Sequence, residues 1–189
     1  MALLQVYGGK LLGTLASAYA WVFRSIPALV LLFIFYFGPS QFGLDVAPFL
    51  AATVALGLRS SAYQSQIFRG ALQAIPRGQM MAARSLGMGR TRAIATIIVP
   101  QALRLSIAGW SNEFSSVVKD TTLAYVVGLN EVLRTVRIIT DRYYNLAMLA
   151  YLAVALIFLV LTYAGNWSLG WLEDRLRIPG LELRRRGIG

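Results

Sequence analysis

No cysteine and no histidine occurs among the 189 residues, and only 14% of them are charged. The first two absences exclude a disulfide framework, a Cys/His zinc site, a Ser-His-Asp triad and a cysteine nucleophile. The scarcity of charge excludes most soluble enzymes, because an ordinary soluble domain carries about 25% charged and about 45–50% apolar residues. Acids are scarcer still: 8 Asp and Glu stand against 18 Lys and Arg, a net charge of +10. A Gly-x4-Gly-Lys-Ser/Thr phosphate loop is absent as well, so any ATP chemistry must be supplied by another chain. What is present is apolar. Hydrophobic residues make up 57% of the chain and the mean hydropathy is +0.61, the composition of a protein whose solvent is partly lipid. The positive charge fits nucleic acid, anionic headgroups or a topology signal, and its placement decides among them.

The clearest span lies near the C-terminus, where no charged residue occurs between Arg142 and Glu173. Residues 146–165 read LAMLAYLAVALIFLVLTYAG, long enough to cross a hydrocarbon core of about 30 Å at about 1.5 Å per residue. Tyr143 and Tyr144 precede it and Trp167 and Trp171 follow, positions suited to aromatic belts at the two headgroup levels. Ala147, Ala150, Ala153 and Ala155 offer a face for close helix packing. A second charge-free interval covers residues 25–44 and extends back through residues 14–23. That extension places Arg24 inside the span, where it must face protein or water or snorkel to the interface. The middle of the chain is weaker: 13 uncharged residues precede Arg59 from position 46, and 11 lie between Arg92 and Arg104. Segments of this kind are soluble-core helices, re-entrant pieces, or spanning helices that line a protein-filled or wet interior. Between two strong spans the last reading is preferred, and four helices are predicted, at about residues 11–38, 46–69, 93–118 and 143–168.

Arg69, Arg77, Arg84, Arg90 and Arg92 form one basic cluster with no acid among them, and Arg175, Arg177, Arg184, Arg185 and Arg186 form another. Two spans separate the clusters, while residues 38–45 contain no Lys or Arg. The positive-inside bias therefore puts both termini and the Arg-rich loop in the cytoplasm of a multi-pass cell-membrane (inner-membrane) protein. Residues 119–142 strain the rule, since the outer side then carries Lys119, Arg134, Arg137 and Arg142 against Asp120, Glu131 and Asp141. No secretory signal is evident in the first residues. Basic residues flank lipid spans without an aromatic-rich polar platform or a groove-reading helix, which argues against nucleic acid as a partner. The fold class is all-α, an integral membrane helical bundle, with one membrane domain over residues 1–174 and a short basic tail over 175–189.

Residues 75–90, IPRGQMMAARSLGMGR, suit a short helix with Pro76 in its first turn and Gly87 as its stop. By themselves they are equally a surface loop packed on its own helices. Ala82, Ala83, Gly87 and, nine residues further on, the run Ile97-Ile98-Val99-Pro100 resemble the EAA signature of ABC-importer permeases. Two positions depart from it: Met81 replaces the acid and Val99 the Leu. Phe23-Arg24-Ser25-Ile26-Pro27, Ile67-Phe68-Arg69-Gly70, Pro76-Arg77-Gly78-Gln79, Pro100-Gln101-Ala102-Leu103-Arg104 and Lys119-Asp120-Thr121-Thr122-Leu123 extend the resemblance to the polar amino-acid branch, where Gln66 stands in place of a usual acid.

The resemblance implies a MetI-like architecture, whose core usually has five transmembrane helices, so the chain resembles a member that begins after its first span. It implies a channel-forming subunit, not an enzyme, that binds no cofactor of its own. The partners it implies are an ABC ATPase dimer using ATP and Mg, a second permease copy or paralogue, an extracellular or periplasmic solute-binding protein, and membrane lipid. Residues 70–92 would be the ATPase-coupling loop, with Gly78, Met81, Ala82, Ala83, Gly87, Ile97 and Pro100 as the candidate coupling residues. Without a carboxylate at 81, the loop is expected to depend less on an ion pair with the ATPase. The competing reading is a truncated or assembly-type membrane protein without its own transport path.

Polar residues within apolar helices are the candidates for that path. Arg59 and Arg104 lie in or beside such segments, and Pro100 is expected to kink the third helix near its inner end. Asn112 and Glu113 interrupt the upper part of that helix. A carboxylate there needs water, a cationic ligand group such as an ammonium, or a structural pair with Lys119. Lys119, Asp120 and Thr121 fall at its outer end, where the hydroxyls of Thr121 and Thr122 are suited to capping.

Overall fold

A computed structural model describes residues 1–176, and every regular element among them is helical. Ten α-helices follow in chain order: α1 (Ala2–Tyr7), α2 (Gly9–Ser25), α3 (Ala28–Phe37), α4 (Pro48–Ala74), α5 (Arg77–Ser85), α6 (Arg90–Ala93), α7 (Val99–Leu105), α8 (Ile107–Asp120), α9 (Val132–Arg142) and α10 (Ala147–Arg175). A π-helical turn, Ile94–Ile98, joins α6 to α7, and a 3-10 segment, Thr121–Val127, extends α8. The tail residues Arg177, Arg184, Arg185 and Arg186 lie outside the described residues.

The first anticipated helix, 11–38, is two helices. Ile26 and Pro27 are both extended, with ψ of 130° and 142°, and α2 and α3 meet at 99°. Pro27 causes the break, since its ring disfavours helical backbone at Ile26 and it has no N–H to continue the ladder. Arg24 consequently sits in the last turn of α2, at the elbow of this bent pair. It is exposed, with its guanidinium 5.2 Å from the centre of the Tyr63 ring.

The third anticipated helix is also broken, but not where Pro100 suggested. Pro100 lies at the start of α7, directly after the π turn, which widens the ladder where the proline lacks its donor. The bend of 54° falls at Ser106 between α7 and α8, and the Ser106 hydroxyl donates to the Leu103 carbonyl at 2.7 Å. Residues 119–142, expected only as a charged connection, contain α9. Glu131 caps this helix by accepting from the backbone N–H groups of Leu133 (2.9 Å) and Arg134 (2.6 Å). The Arg134 side chain returns to the Gly128 carbonyl, so one of the basic residues that strained the charge rule holds a local turn.

Among the described residues only α10 is both long and apolar enough to cross a membrane as a single helix; α2 with α3, and α6 through α8 with their flanking turns, reach that standard as bent pairs. The 27-residue α4 has the length for a crossing but carries Arg59 halfway along it. It is the centre of the bundle, packing against α1, α2, α3, α7 and α8. Its buried side chains are small, Ala51, Ala52, Ala55, Ser60, Ala62, Ser65 and Ala71 besides Leu72. Small residues let helix backbones approach closely, which matters in lipid because apolar surface gains nothing by leaving one hydrocarbon environment for another. The alanine face expected on α10 is therefore found on α4; on α10 only Val154 is buried. Instead, Gly165 of α10 opens a gap for the Phe114 ring of α8, in a place where any Cβ would collide with that ring.

Two apolar clusters bracket α4. One joins α3 to α4 through Leu31, Leu32, Ala52, Ala55, Ala124 and Val127. The other, at the far end, gathers Ala2, Ala71, Leu72, Ile75, Ile98 and Ala102, with Tyr7, Met80 and Ile97 packed against it.

Candidate functional site

Between those clusters α4 presents polar groups toward α8 and the 3-10 segment. One Arg59 guanidinium nitrogen donates to an Asp120 carboxylate oxygen at 2.5 Å, the one ion pair among the described residues. The two side chains are 21% and 25% exposed. The Arg59 guanidinium also lies 4.8 Å from the centre of the Tyr63 ring one turn away, and its Nε is buried without a hydrogen-bond partner. Arg24 and Arg59 thus flank one aromatic ring, balanced by one carboxylate.

A second polar link runs beside the first. The Ser60 hydroxyl donates to Glu113 at 2.8 Å, and Gln64 Nε2 donates to the Ser60 oxygen at 3.1 Å. Glu113 is only 7% exposed. Spacing explains the assembly: Arg59 with Tyr63, and Ser60 with Gln64, are four residues apart and stack on adjacent faces of α4. Ser60 and Gln64 were not singled out in the sequence, where a serine and a glutamine in an alanine-rich stretch carry no signal until their periodicity is set against Arg59.

The remaining candidates are distributed differently. Asn112 is exposed while its neighbour Glu113 turns inward, so the two do not act as one group. Lys119 is exposed and makes no ion pair with Glu113, whose partner is Ser60. Thr121 and Thr122 do not cap a helix start; their hydroxyls donate back to the Val118 and Lys119 carbonyls at 2.7 Å, closing the end of α8. Arg104 is exposed near the end of α7. An apolar cavity of about 250 Å³, lined by Ala2, Phe68, Leu72, Val99 and Ala102 among others, lies near α1, away from these charges.

The loop anticipated from the motif contains α5, which is held at one face. Ala83 is 4% exposed, Met80 packs into the second apolar cluster, and Gln101 of α7 donates to Gln79 at 3.4 Å. Ala83 therefore seats the helix on its own bundle, whereas Gly78, Met81 and Ala82 are exposed. Gly87 ends α5 with φ of +78°, its N–H bonding Arg84 and the Met88 N–H bonding Ala83, the paired bonds of a Schellman stop. Ile97 lies in the π turn against the cluster, and Pro100 is exposed at the start of α7.

Residues 1–178 match the family model described as binding-protein-dependent transport system inner membrane component. A probable glutamine ABC transporter permease protein of Bacillus subtilis is 34% identical over 177 residues, covering 93% of this chain and 81% of that protein. An octopine transport system permease protein of Rhizobium meliloti is 37% identical, covering 93% and 77%. The arginine ABC transporter permease protein of Escherichia coli K12 is 36% identical, covering 77% and 69%. Among solved structures, an amino acid ABC transporter crystallised with histidines superposes with a TM-score of 0.83 at 34% identity, over 92% of this chain and 81% of that one. The methionine ABC transporter in an inward-facing conformation superposes with a TM-score of 0.74 at 19% identity, covering 94% and 84%, a likeness of fold alone.

Proposed function

The chain belongs to the binding-protein-dependent transport system inner membrane component family, and from that premise we propose that it supplies half of the translocation path of an ATP-driven importer of polar amino acids. The observation that carries this reading is the Arg59–Asp120 pair beside the buried Glu113, charged groups of both signs set in the middle of an apolar bundle. An amino acid brings both a carboxylate and an ammonium. Arg59 suits the first, and Asp120 and Glu113 suit the second, through charge-assisted hydrogen bonds. Charges of this kind are costly against lipid and so belong on an interior path. Asn112, Lys119 and Thr121, exposed on a single copy, are assigned to the wall completed by a second permease copy or paralogue.

In this reading the chain binds no cofactor. The energy comes from a cytoplasmic ATPase dimer, working with ATP and Mg and seated on α5, and substrate arrives from an external binding protein. The end bearing α5 and both termini then face the cytoplasm of a cell-membrane protein. Reconstitution in liposomes with the co-expressed ATPase and binding protein tests the proposal: ATP-dependent uptake of labelled glutamine or arginine is expected. A complex that hydrolyses ATP yet takes up no amino acid overturns it in favour of an assembly role.

A further inference from the structure

The polar site leaves one neighbouring guanidinium unused, that of Arg24. This residue ends α2 at the elbow, its side chain is exposed, and among the described residues no carboxylate pairs with it. The elbow brings it to α4. The Tyr63 hydroxyl donates to the Arg24 carbonyl at 3.4 Å, and the Arg24 guanidinium lies 5.2 Å from the centre of the ring that Arg59 approaches to 4.8 Å. The two guanidinium groups are therefore no further apart than those two distances laid end to end. Carboxylates are in short supply around them. Asp120 is bonded to Arg59, Glu113 is only 7% exposed and bonded to Ser60, and the exposed Lys119 adds a positive charge next to Asp120 in the chain. The open side of the polar site is thus cationic.

We propose that Arg24 is a specificity-determining residue of the translocation path that binds a carboxylate on the substrate's side chain, so that the path favours acidic amino acids over neutral ones and neutral over cationic ones. The proposal rests on the permease reading and adds the substrate class. In that reading the groups common to every amino acid are already met, the α-carboxylate by Arg59 and the ammonium by Asp120 and Glu113. Arg24, on the same ring as Arg59, is what remains for the side chain. Ion pairs close within about 4 Å, so a ligand with two carboxylates a few bonds apart reaches both guanidinium groups at the spacing that the Tyr63 ring sets. A second carboxylate also relieves the repulsion between two cations gathered on one ring. An arginine or lysine side chain would instead bring a third cation to the pair.

The test uses the permease with its co-purified ATPase in nanodiscs of purely zwitterionic lipid, without the binding protein, so that neither a lipid anion nor another protein's selectivity enters. The affinities of labelled L-glutamate, L-glutamine and L-arginine are measured separately. Glutamate is expected to bind about tenfold tighter than glutamine, the worth of one charge-assisted contact, and arginine to bind weakest of the three. Arg24→Gln is expected to bring the glutamate-to-glutamine ratio close to one, whereas Arg24→Lys, which keeps the charge, retains most of it. Arginine binding as tightly as glutamate, or a ratio that Arg24→Gln leaves at its wild-type value, overturns the proposal. A wild-type complex that binds none of the three amino acids fails the permease reading instead.

Discussion

Glu113 of α8 accepts the Ser60 hydroxyl of α4 at 2.8 Å, and both residues are buried. A single hydrogen bond therefore links the central helix to the helix on which α10 packs, at a buried carboxylate. Removing the donor leaves that carboxylate short of a partner, which in general costs about 1–3 kcal/mol. Ser60→Ala is accordingly expected to lower thermal stability in detergent, measured by the melting of the purified permease. A melting temperature unchanged from wild type assigns Glu113 a different partner.

Glu113→Gln separates charge from shape. The amide oxygen still accepts from Ser60, so membrane expression and ATPase association are expected to stay near wild type. Uptake of ammonium-bearing substrates is expected to drop about tenfold, the effect of losing one charge-assisted contact. The readout is the initial rate of labelled amino-acid uptake in proteoliposomes, and normal uptake returns Glu113 to a purely structural role.

The Arg59–Asp120 pair allows a charge-swap experiment. Both partners are about three-quarters buried, so removing either one alone leaves a charge unpaired inside the bundle and is expected to destabilise it. Arg59→Asp with Asp120→Arg is expected to preserve folding, because the attraction survives reversal. Transport is expected to be lost, since carboxylate and ammonium recognition would be inverted at fixed positions. Full transport by the swapped variant makes the pair structural.

Gly87 holds φ of +78° at the end of α5, a conformation that disfavours a side chain by about 1–2 kcal/mol. No neighbouring atom lies near its missing Cβ, so the penalty is conformational and not a clash. Gly87→Asp is expected to leave insertion intact and reduce substrate stimulation of the ATPase several-fold, while Gly87→Asn, better tolerated in the left-handed region, retains more of it. Equal stimulation in both variants and wild type would mean that the shape of the loop does not matter to coupling.

Gly165→Leu introduces a side chain into the space taken by the Phe114 ring, and overpacking of this sort costs about 1–3 kcal/mol. Loss of stability is expected, with partial recovery in Gly165→Leu combined with Phe114→Ala. A single variant as stable as wild type would show that α10 does not pack on α8 at this point.

What the sequence determined by itself follows from local chemistry and transfer energies. The absence of Cys and His limited the chemistry, and the uninterrupted apolar run before Trp167 required a lipid-crossing α10, because such a run has no stable alternative in water. The Pro76 to Gly87 spacing made α5 legible, since a proline start and a glycine stop act within one or two residues of themselves. Other features were decided by tertiary structure. Pro27 was present in the sequence, yet only the folded chain shows a 99° elbow instead of a kinked span, for a proline permits several bend angles and packing against α4 selects one. The bend at Ser106 carried no sequence signal at all, because a serine is compatible with a straight helix. The same holds for the polar site: Arg59 and Asp120 are 61 residues apart, and Glu113 met Ser60 in place of the nearby Lys119. Local pattern sets which helices form and which faces are apolar; which charge faces which depends on how those helices pack, and that is a property of the whole bundle.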